Sequence, residues 1–261
     1  MMGIMNCSNT ERCILSMRIS TDGFVFAVSN PLDNRDEGWE LENYPVDVTL
    51  PLALNLRQAF SQLKWLERPF RKVKVLLATK RFTLLPMEYF KDDCVEAFFY
   101  QNHSKEENEM VLYNTLSNSN AAVLFGIDRS VVEAVQELQP EAKFYAQVSP
   151  LIDHFAVKSR LSNTRKLYVH VRREYIDVLG YEAGRLLLVN AYKCGQQADC
   201  IYYILCIWQM LGFDQENDEL YLLGGLDEKP DLLTGLKDFI RWVSVMEPAG
   251  NMDLQTVVLC E

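Results

Sequence analysis

Positive charge is in short supply in this chain, where 26 Lys and Arg face 36 Asp and Glu for a net charge of −10. Nucleic-acid binding rests on a basic face that neutralises phosphates, so this balance argues against a nucleic-acid partner. It equally disfavours adhesion to anionic lipid. Long apolar runs are missing too. The longest, IYYILCIW at Ile201–Trp208, is far short of the ~20 residues of a membrane-spanning helix. The N-terminal MMGIMNCSNTERC has no basic segment followed by an apolar stretch, so no signal peptide is expected. Histidine is scarce, and His103, His154 and His170 show neither the i,i+4 nor the H-x-E spacing of a metal site; no metal ligands are expected. Neither a G-x-S-x-G elbow nor a G-x-x-x-x-G-K-[ST] loop occurs, which removes the common serine-hydrolase and P-loop readings.

The seven cysteines include no CxxC pair and suit the reduced, mostly buried thiols of a cytoplasmic protein. Cys194, Cys200 and Cys206 recur every six residues, a spacing that turns Cys200 and Cys206 to different helix faces. They read as core thiols rather than as a metal or redox site.

The hydrophobic share of 49% is enough for a sizeable core, and 261 residues fit one large domain or two medium ones. Strands are expected at 13–20 and 24–30, joined through Thr21-Asp22-Gly23 by a tight primed turn in which Gly supplies the positive φ. A third strand is expected near Val46–Leu50. Leu52, Leu56, Ala59, Phe60, Leu63 and Leu66 then fall at helical spacing, and Val73–Thr79 reads as a buried strand. After an irregular stretch and a helix-like DDCVEAFFYQN come strands MVLYNTL and AAVLFGI, a helix N-capped by Asp128, strand KFYAQV, and a helix opening at Ser149-Pro150. Three strands then begin again from about residue 166, the second hairpin turning at EAG. They are followed by the nearly all-apolar helix of 196–213, strand ELYLLGG, a helix or turn at LLTGLKDFIRW, and a last strand at LQTVVLCE. The outer face of the long apolar helix calls for a cover, with Tyr202, Tyr203 and Trp208 as anchors.

The order strand–strand–strand–helix–strand thus occurs twice. With LYLLGGL…LLTGLKDFI it resembles the actin-like ATPase superfamily, in which two ribonuclease H-like halves face each other across a cleft. Leu222, Leu223, Gly224, Gly225, Gly235 and Leu236 fall on that superfamily's adenosine-side motif. The whole chain resembles an uncharacterised Bacteroidetes family of this superfamily, and it is distantly similar to actin-like pilus-assembly and type II secretion proteins. The resemblance implies an α/β fold of two halves. Residues 1–163 would form the first, with an inserted subdomain around 80–120, and residues 164–261 the second, with the polar SNTRK of 162–166 at the boundary.

The same resemblance implies two phosphate turns of D-x-G type, one at the first hairpin of each half. There a carboxylate positions Mg²⁺ and a glycine admits the phosphates. In the first half Thr21, Asp22 and Gly23 occupy that turn, with Thr21 rather than an acid at the metal position. In the second half Arg172, Arg173 and Glu174 replace both the acid and the glycine. The reading is therefore a degenerate, bacterial pseudo-ATPase in the cytoplasm: a scaffold or protein-interaction module without ATP hydrolysis, catalytic residues or cofactor. An unidentified protein partner and possible homo-oligomerisation go with it. The alternative is a nucleotide-binding actin-like ATPase or small-molecule kinase with divergent phosphate loops. It would hold Mg-ATP through Thr21, Asp22, Gly23, Arg172, Arg173, Gly224 and Gly225. An unrelated small ligand in the inherited cleft is a further alternative. The glycines of LYLLGGL read as a structural turn, kept for positive φ and close packing.

Overall fold

A computed structural model describes residues 10–31, 39–247 and 249–260. The chain divides into two compact units. One comprises 1–114, 122–147 and 257–261, and the other 115–121 and 148–256. The division expected at 163/164 falls inside the second of these.

In the first unit, β1 (Ile14–Ser20) and β2 (Gly23–Ser29) form an antiparallel hairpin, and β3 (Trp39–Tyr44) pairs with β2. After α1 (Leu52–Gln62), strand β4 (Lys72–Leu77) returns parallel to β1, and β8 (Lys143–Ala146) pairs parallel with β4. The sheet order is β3-β2-β1-β4-β8. Leu15, Met17, Ile19 and Phe26 are fully buried in it, and Phe60 of α1 packs against Phe26 at 6.5 Å between rings. Each such side chain contributes roughly 1.5–3 kcal/mol by leaving water.

Inserted between β4 and β8 is a smaller sheet of order β5-β7-β6, built from β5 (Phe82–Pro86), β6 (Glu109–Leu116) and β7 (Ala121–Asp128) with α2 (Val95–Asn102). Leu85, Val95, Phe99, Ala122 and Leu124 form its core. Arg81 anchors it by ion-pairing with the buried Glu109 at 2.8 Å. Helix α3 (Arg129–Gln136) follows with the expected cap, the Asp128 carboxylate accepting from Ser130 N at 2.8 Å.

The second unit opens with α4 (Val148–Ser159) and repeats the sheet: β9 (Arg165–Val171), β10 (Tyr175–Glu182), β11 (Arg185–Lys193), β12 (Glu219–Gly224) and β13 (Trp242–Val245) in the order β11-β10-β9-β12-β13. Here too the first three strands are antiparallel, while the fourth and fifth run parallel to the first. Residues alternate along β9. Leu167, Val169 and Val171 meet Ile204, Ile207 and Trp208 of α5 (Gln197–Met210) and Leu232 and Leu236 of α6 (Leu232–Lys237) in one core. On the opposite face Tyr168 stacks on Phe155 of α4 at 3.9 Å and on Tyr221 at 5.3 Å.

Several expected elements differ. The third strand is β3 rather than 46–50. An edge strand needs pairing on one side only, and here the half-buried Glu40 and Glu42 alternate with the exposed Leu41 and Asn43, so its hydrophobic signal is weak. Val46–Leu50 is instead a turn, in which Asp47 accepts from Thr49 N at 2.9 Å and Asn55 accepts from Asp47 N at 2.8 Å. The stretch expected as a last strand is helix α7 (Met252–Val257), despite its β-branched TVV. The buried Lys74 of β4 donates to the carbonyls of Val257, Val258 and Cys260, satisfying acceptors that a helix C-terminus leaves open. The four-residue β13 was not expected. The outer face of α5 is uncovered, with Tyr202 and Met210 64% and 63% exposed, whereas Trp208 is buried in the core of its own unit.

Candidate functional site

The first hairpin turn is short. Ser20 pairs with Gly23 across it, leaving Thr21 and Asp22 as its two central residues. Neither has positive φ, so the turn is not the primed type expected from Asp-Gly. Gly23 carries a near-extended φ of 159°, and a Cβ there would meet only the Tyr44 carbonyl at 3.6 Å. Asp22 does not project as a metal ligand would. Its carboxylate accepts from the Ser20 hydroxyl within the turn, and its own N–H lies 3.4 Å from that hydroxyl oxygen.

The second turn is built differently. Arg172 N donates to Tyr175 O at 2.8 Å and closes it. The Arg172 side chain turns inward, where Nη2 meets Asp177 Oδ1 at 2.7 Å and the guanidinium lies 5.2 Å from the Tyr175 ring centroid. Asp177 is completely buried, and His170 Nδ1 stands 3.3 Å from its other oxygen. The buried Lys229 closes the turn from below, donating to Arg173 O at 3.0 Å and to Gly195 O at 3.3 Å. Cys194 N donates to Glu174 O at 2.8 Å. The Arg173 and Glu174 side chains are exposed, and neither makes an ion pair among the described residues.

Gly224 and Gly225 meet this turn from β12. Gly224 pairs beside Val171, and Gly225 N donates to Val171 O at 2.8 Å. At Gly224 the φ of +96° is left-handed, and a Cβ would stand 2.2 Å from Val171 O and 2.8 Å from His170 Cδ2. Only glycine fits. Gly225 is not so constrained, since its Cβ would meet nothing nearer than Val171 O at 3.8 Å. Gly235 of α6 faces Ile201 of α5, where a Cβ would come within 2.7 Å of Cδ1. Two of the three motif glycines are thus accounted for by close packing.

Of the sequence-derived site residues, Arg172, Arg173, Gly224 and Gly225 come together in the second unit, and Thr21, Asp22 and Gly23 form the hairpin turn of the first. Asp177, His170 and Lys229 were missed. An acid inside the apolar run YIDVLGY was the one available signal for the buried pair.

These residues do not fit Mg-ATP as the fold family would hold it. Asp177, on the strand that follows the second turn, is buried against Arg172, and Arg173 O already accepts from Lys229. Asp22 accepts from its own turn. Among the described residues no group of three or more His, Cys, Asp or Glu is arranged to hold a metal ion, and no helix is long and apolar enough to cross a membrane.

Cys194 and Cys200 are buried and their sulfurs are 2.6 Å apart, whereas Cys206 is exposed. The six-residue spacing separates Cys200 from Cys206 as expected, but Cys206 is not a core thiol.

A search of the curated proteins returns no match. Among solved structures, a Bacteroides thetaiotaomicron protein with actin-like ATPase fold and unknown function is 42% identical. The match covers 99% of this chain and 100% of that one, with a TM-score of 0.91. The PilM-PilN type IV pilus biogenesis complex matches at 11% identity over 90% and 88% of the two chains, with a TM-score of 0.63. Ethanolamine utilization protein EutJ from Carboxydothermus hydrogenoformans matches at 11% identity over 95% and 89%, with a TM-score of 0.53. Residues 4–243 match the family described as "Protein of unknown function (DUF3822)". With its twice-repeated sheet, the chain has the actin-like ATPase fold and belongs to that family.

Proposed function

We propose that this chain is a degenerate actin-like protein, a pseudo-ATPase that works in the cytoplasm as a scaffold or protein-interaction module. The observation that carries this reading is the internal commitment of the second turn. Asp177 engages the Arg172 guanidinium, and Lys229 takes the Arg173 carbonyl. Catalysis of phosphoryl transfer needs metal ligands and donors aimed at the phosphates, and these turns aim their groups at each other. A protein partner is supported by the exposed Tyr202 and Met210 on the outer face of α5, since aromatic residues and Met are enriched at interfaces. The cytoplasmic placement rests on seven cysteines without a CxxC pair.

A second reading, nucleotide binding with divergent phosphate loops, draws on Arg173 and Gly225, the one exposed guanidinium and the one unconstrained glycine at this turn. Calorimetric titration of the full chain with Mg-ATP and Mg-ADP separates the two. The scaffold reading predicts no saturable heat up to ~1 mM nucleotide and no phosphate release. Binding lost in Arg173→Ala would establish the second reading instead.

A further inference from the structure

Behind the second turn lies a group of side chains that the fold does not explain. Lys229 is a buried cation whose ammonium reaches two carbonyl oxygens, Arg173 O and Gly195 O, and has no ion-pair partner among the described residues. An ammonium has three N–H groups to satisfy, and a buried cation without an anion is costly. The ionisable groups beside it are two thiols. Cys194, at the end of β11, and Cys200, in the first turns of α5, are 1% and 0% exposed, with their sulfurs 2.6 Å apart and unbonded. A bond would hold them at about 2.05 Å. Cys200 sits near a helix N-terminus, where the backbone dipole favours an anion.

We propose that Cys194 and Cys200 are a redox modification site, a dithiol that small hydroperoxides convert reversibly to a disulfide, with Cys200 as the attacking thiolate and Lys229 as its counter-cation. The two sulfurs share one hydrogen-bonding contact, and this lowers Cys200 while Cys194 is pushed up. Burial opposes the ionisation of Cys200. Lys229 favours it, and Asp199 works against it. In the first step the Cys200 thiolate attacks one peroxide oxygen, the O–O bond breaks, and hydroxide leaves, giving a sulfenic acid. In the second the Cys194 sulfur attacks Cys200, the S–O bond breaks, and water departs with the Cys194 proton. Two thiols and one hydrogen peroxide thus give one disulfide and two waters; the sulfurs lose the two electrons that the peroxide gains. A small thiol reverses the reaction by exchange.

Hydrogen peroxide suits a buried pair because it is hardly larger than water. The connector between β11 and α5 runs from one cysteine towards the other. There Gln196 is exposed and no atom lies within 4 Å of where a Gly195 Cβ would stand, so the connector can yield. The consequence would be felt at the turn itself. Cys194 N holds Glu174 O, and Lys229 holds Arg173 O and Gly195 O, so removing the thiolate leaves Lys229 without its anion.

The test needs only the reduced full chain. It is treated with graded hydrogen peroxide, denatured, alkylated and digested, and the state of each cysteine is read by mass spectrometry. The expected result is a Cys194–Cys200 disulfide that dithiothreitol reverses, with Cys206 still alkylated. In Cys194→Ser, Cys200 should stop at a sulfenic acid that dimedone traps. Lys229→Met should slow disulfide formation severalfold at neutral pH, because the thiolate is the attacking species. Cys194 and Cys200 remaining alkylatable in the unmutated chain, or pairing with other cysteines, would overturn the proposal. An unchanged rate in a folded Lys229→Met would overturn the role of the lysine.

Discussion

The two hairpin turns that open the halves occupy equivalent places in equivalent sheets, yet they are held by opposite means. The first is a surface turn whose acid is satisfied two residues away by Ser20, and nothing from another element reaches its side chains among the contacts described above. The second is locked from three sides: Asp177 on Arg172, Lys229 on the Arg173 carbonyl, and Gly224 beside Val171. Equal topology therefore does not bring equal chemistry. A duplicated sheet needs only its alternation of buried residues, while the turn at its end is set by whichever side chains the neighbouring strands supply. In the second turn no glycine stands beside the acid, and in the first the acid beside Gly23 is held by Ser20.

The largest test of this contrast is to remove the acid of the first turn and the acid that the second turn engages. Asp177→Ala leaves Arg172 and His170 facing a buried gap and should cost about 3–5 kcal/mol, whereas Asp22→Ala, at the surface, should stay within ~0.5 kcal/mol. Urea unfolding of the two variants measures the difference, and similar losses would break the comparison. The glycines come next. Gly224→Ala forces a Cβ against the Val171 carbonyl at positive φ and should cost about 2–4 kcal/mol. Gly225→Ala, with nothing nearer than Val171 O at 3.8 Å, should change stability by less than ~1 kcal/mol.

The second half should also carry a dependence on acid. Burial, and secondarily Lys158, lowers His154 on α4 to about 4, and its Nε2 is buried without a hydrogen-bond partner. The folded pKa is below the unfolded value near 6.5, so unfolding takes up a proton between the two. Stability from this group is complete above pH ~6.5 and is lost as pH falls towards 4. Because the ring is only partly shielded, the loss should be about 1–2 kcal/mol, and His154→Gln should remove that part of the pH profile. The smallest effect is expected at the next hairpin of this half. Ala183 holds φ +49° beside Gly184 at +86°, a primed turn with the wrong first residue. Ala183→Gly should raise the unfolding temperature by about 1–3 °C.

How far the sequence speaks depends on the kind of residue. Strands β1, β2 and β4, and β9, β10 and β12, were readable because each is a run of buried apolar residues bounded by turn chemistry. Strand β3 was displaced because an edge strand can be as polar as WELENY, and β13 was hidden because WVSV is shorter than any reliable period. Helix α7 was misread because its β-branched TVV favours a strand, and the lysine that caps the chain after it lies 183 residues away in sequence. Both candidate phosphate turns followed from the resemblance to the actin-like superfamily, which implies one at the first hairpin of each half. The groups that neutralise them were not, since Lys229 is 56 residues from the carbonyl it holds and Asp177 lies on the strand beyond the turn. The loss of the D-x-G pattern was legible; the pairing of Arg172 with Asp177 was not.

The central claim is that both turns have turned their chemistry inward. Thermal unfolding of the full chain with and without ~1 mM Mg-ATP tests it most directly. A ligand bound with a dissociation constant near ~10 μM would add about 2.7 kcal/mol and raise the midpoint by several degrees. The account predicts a shift below about 1 °C, the same with magnesium as without. A magnesium-dependent rise of several degrees that disappears in Arg173→Ala would contradict it.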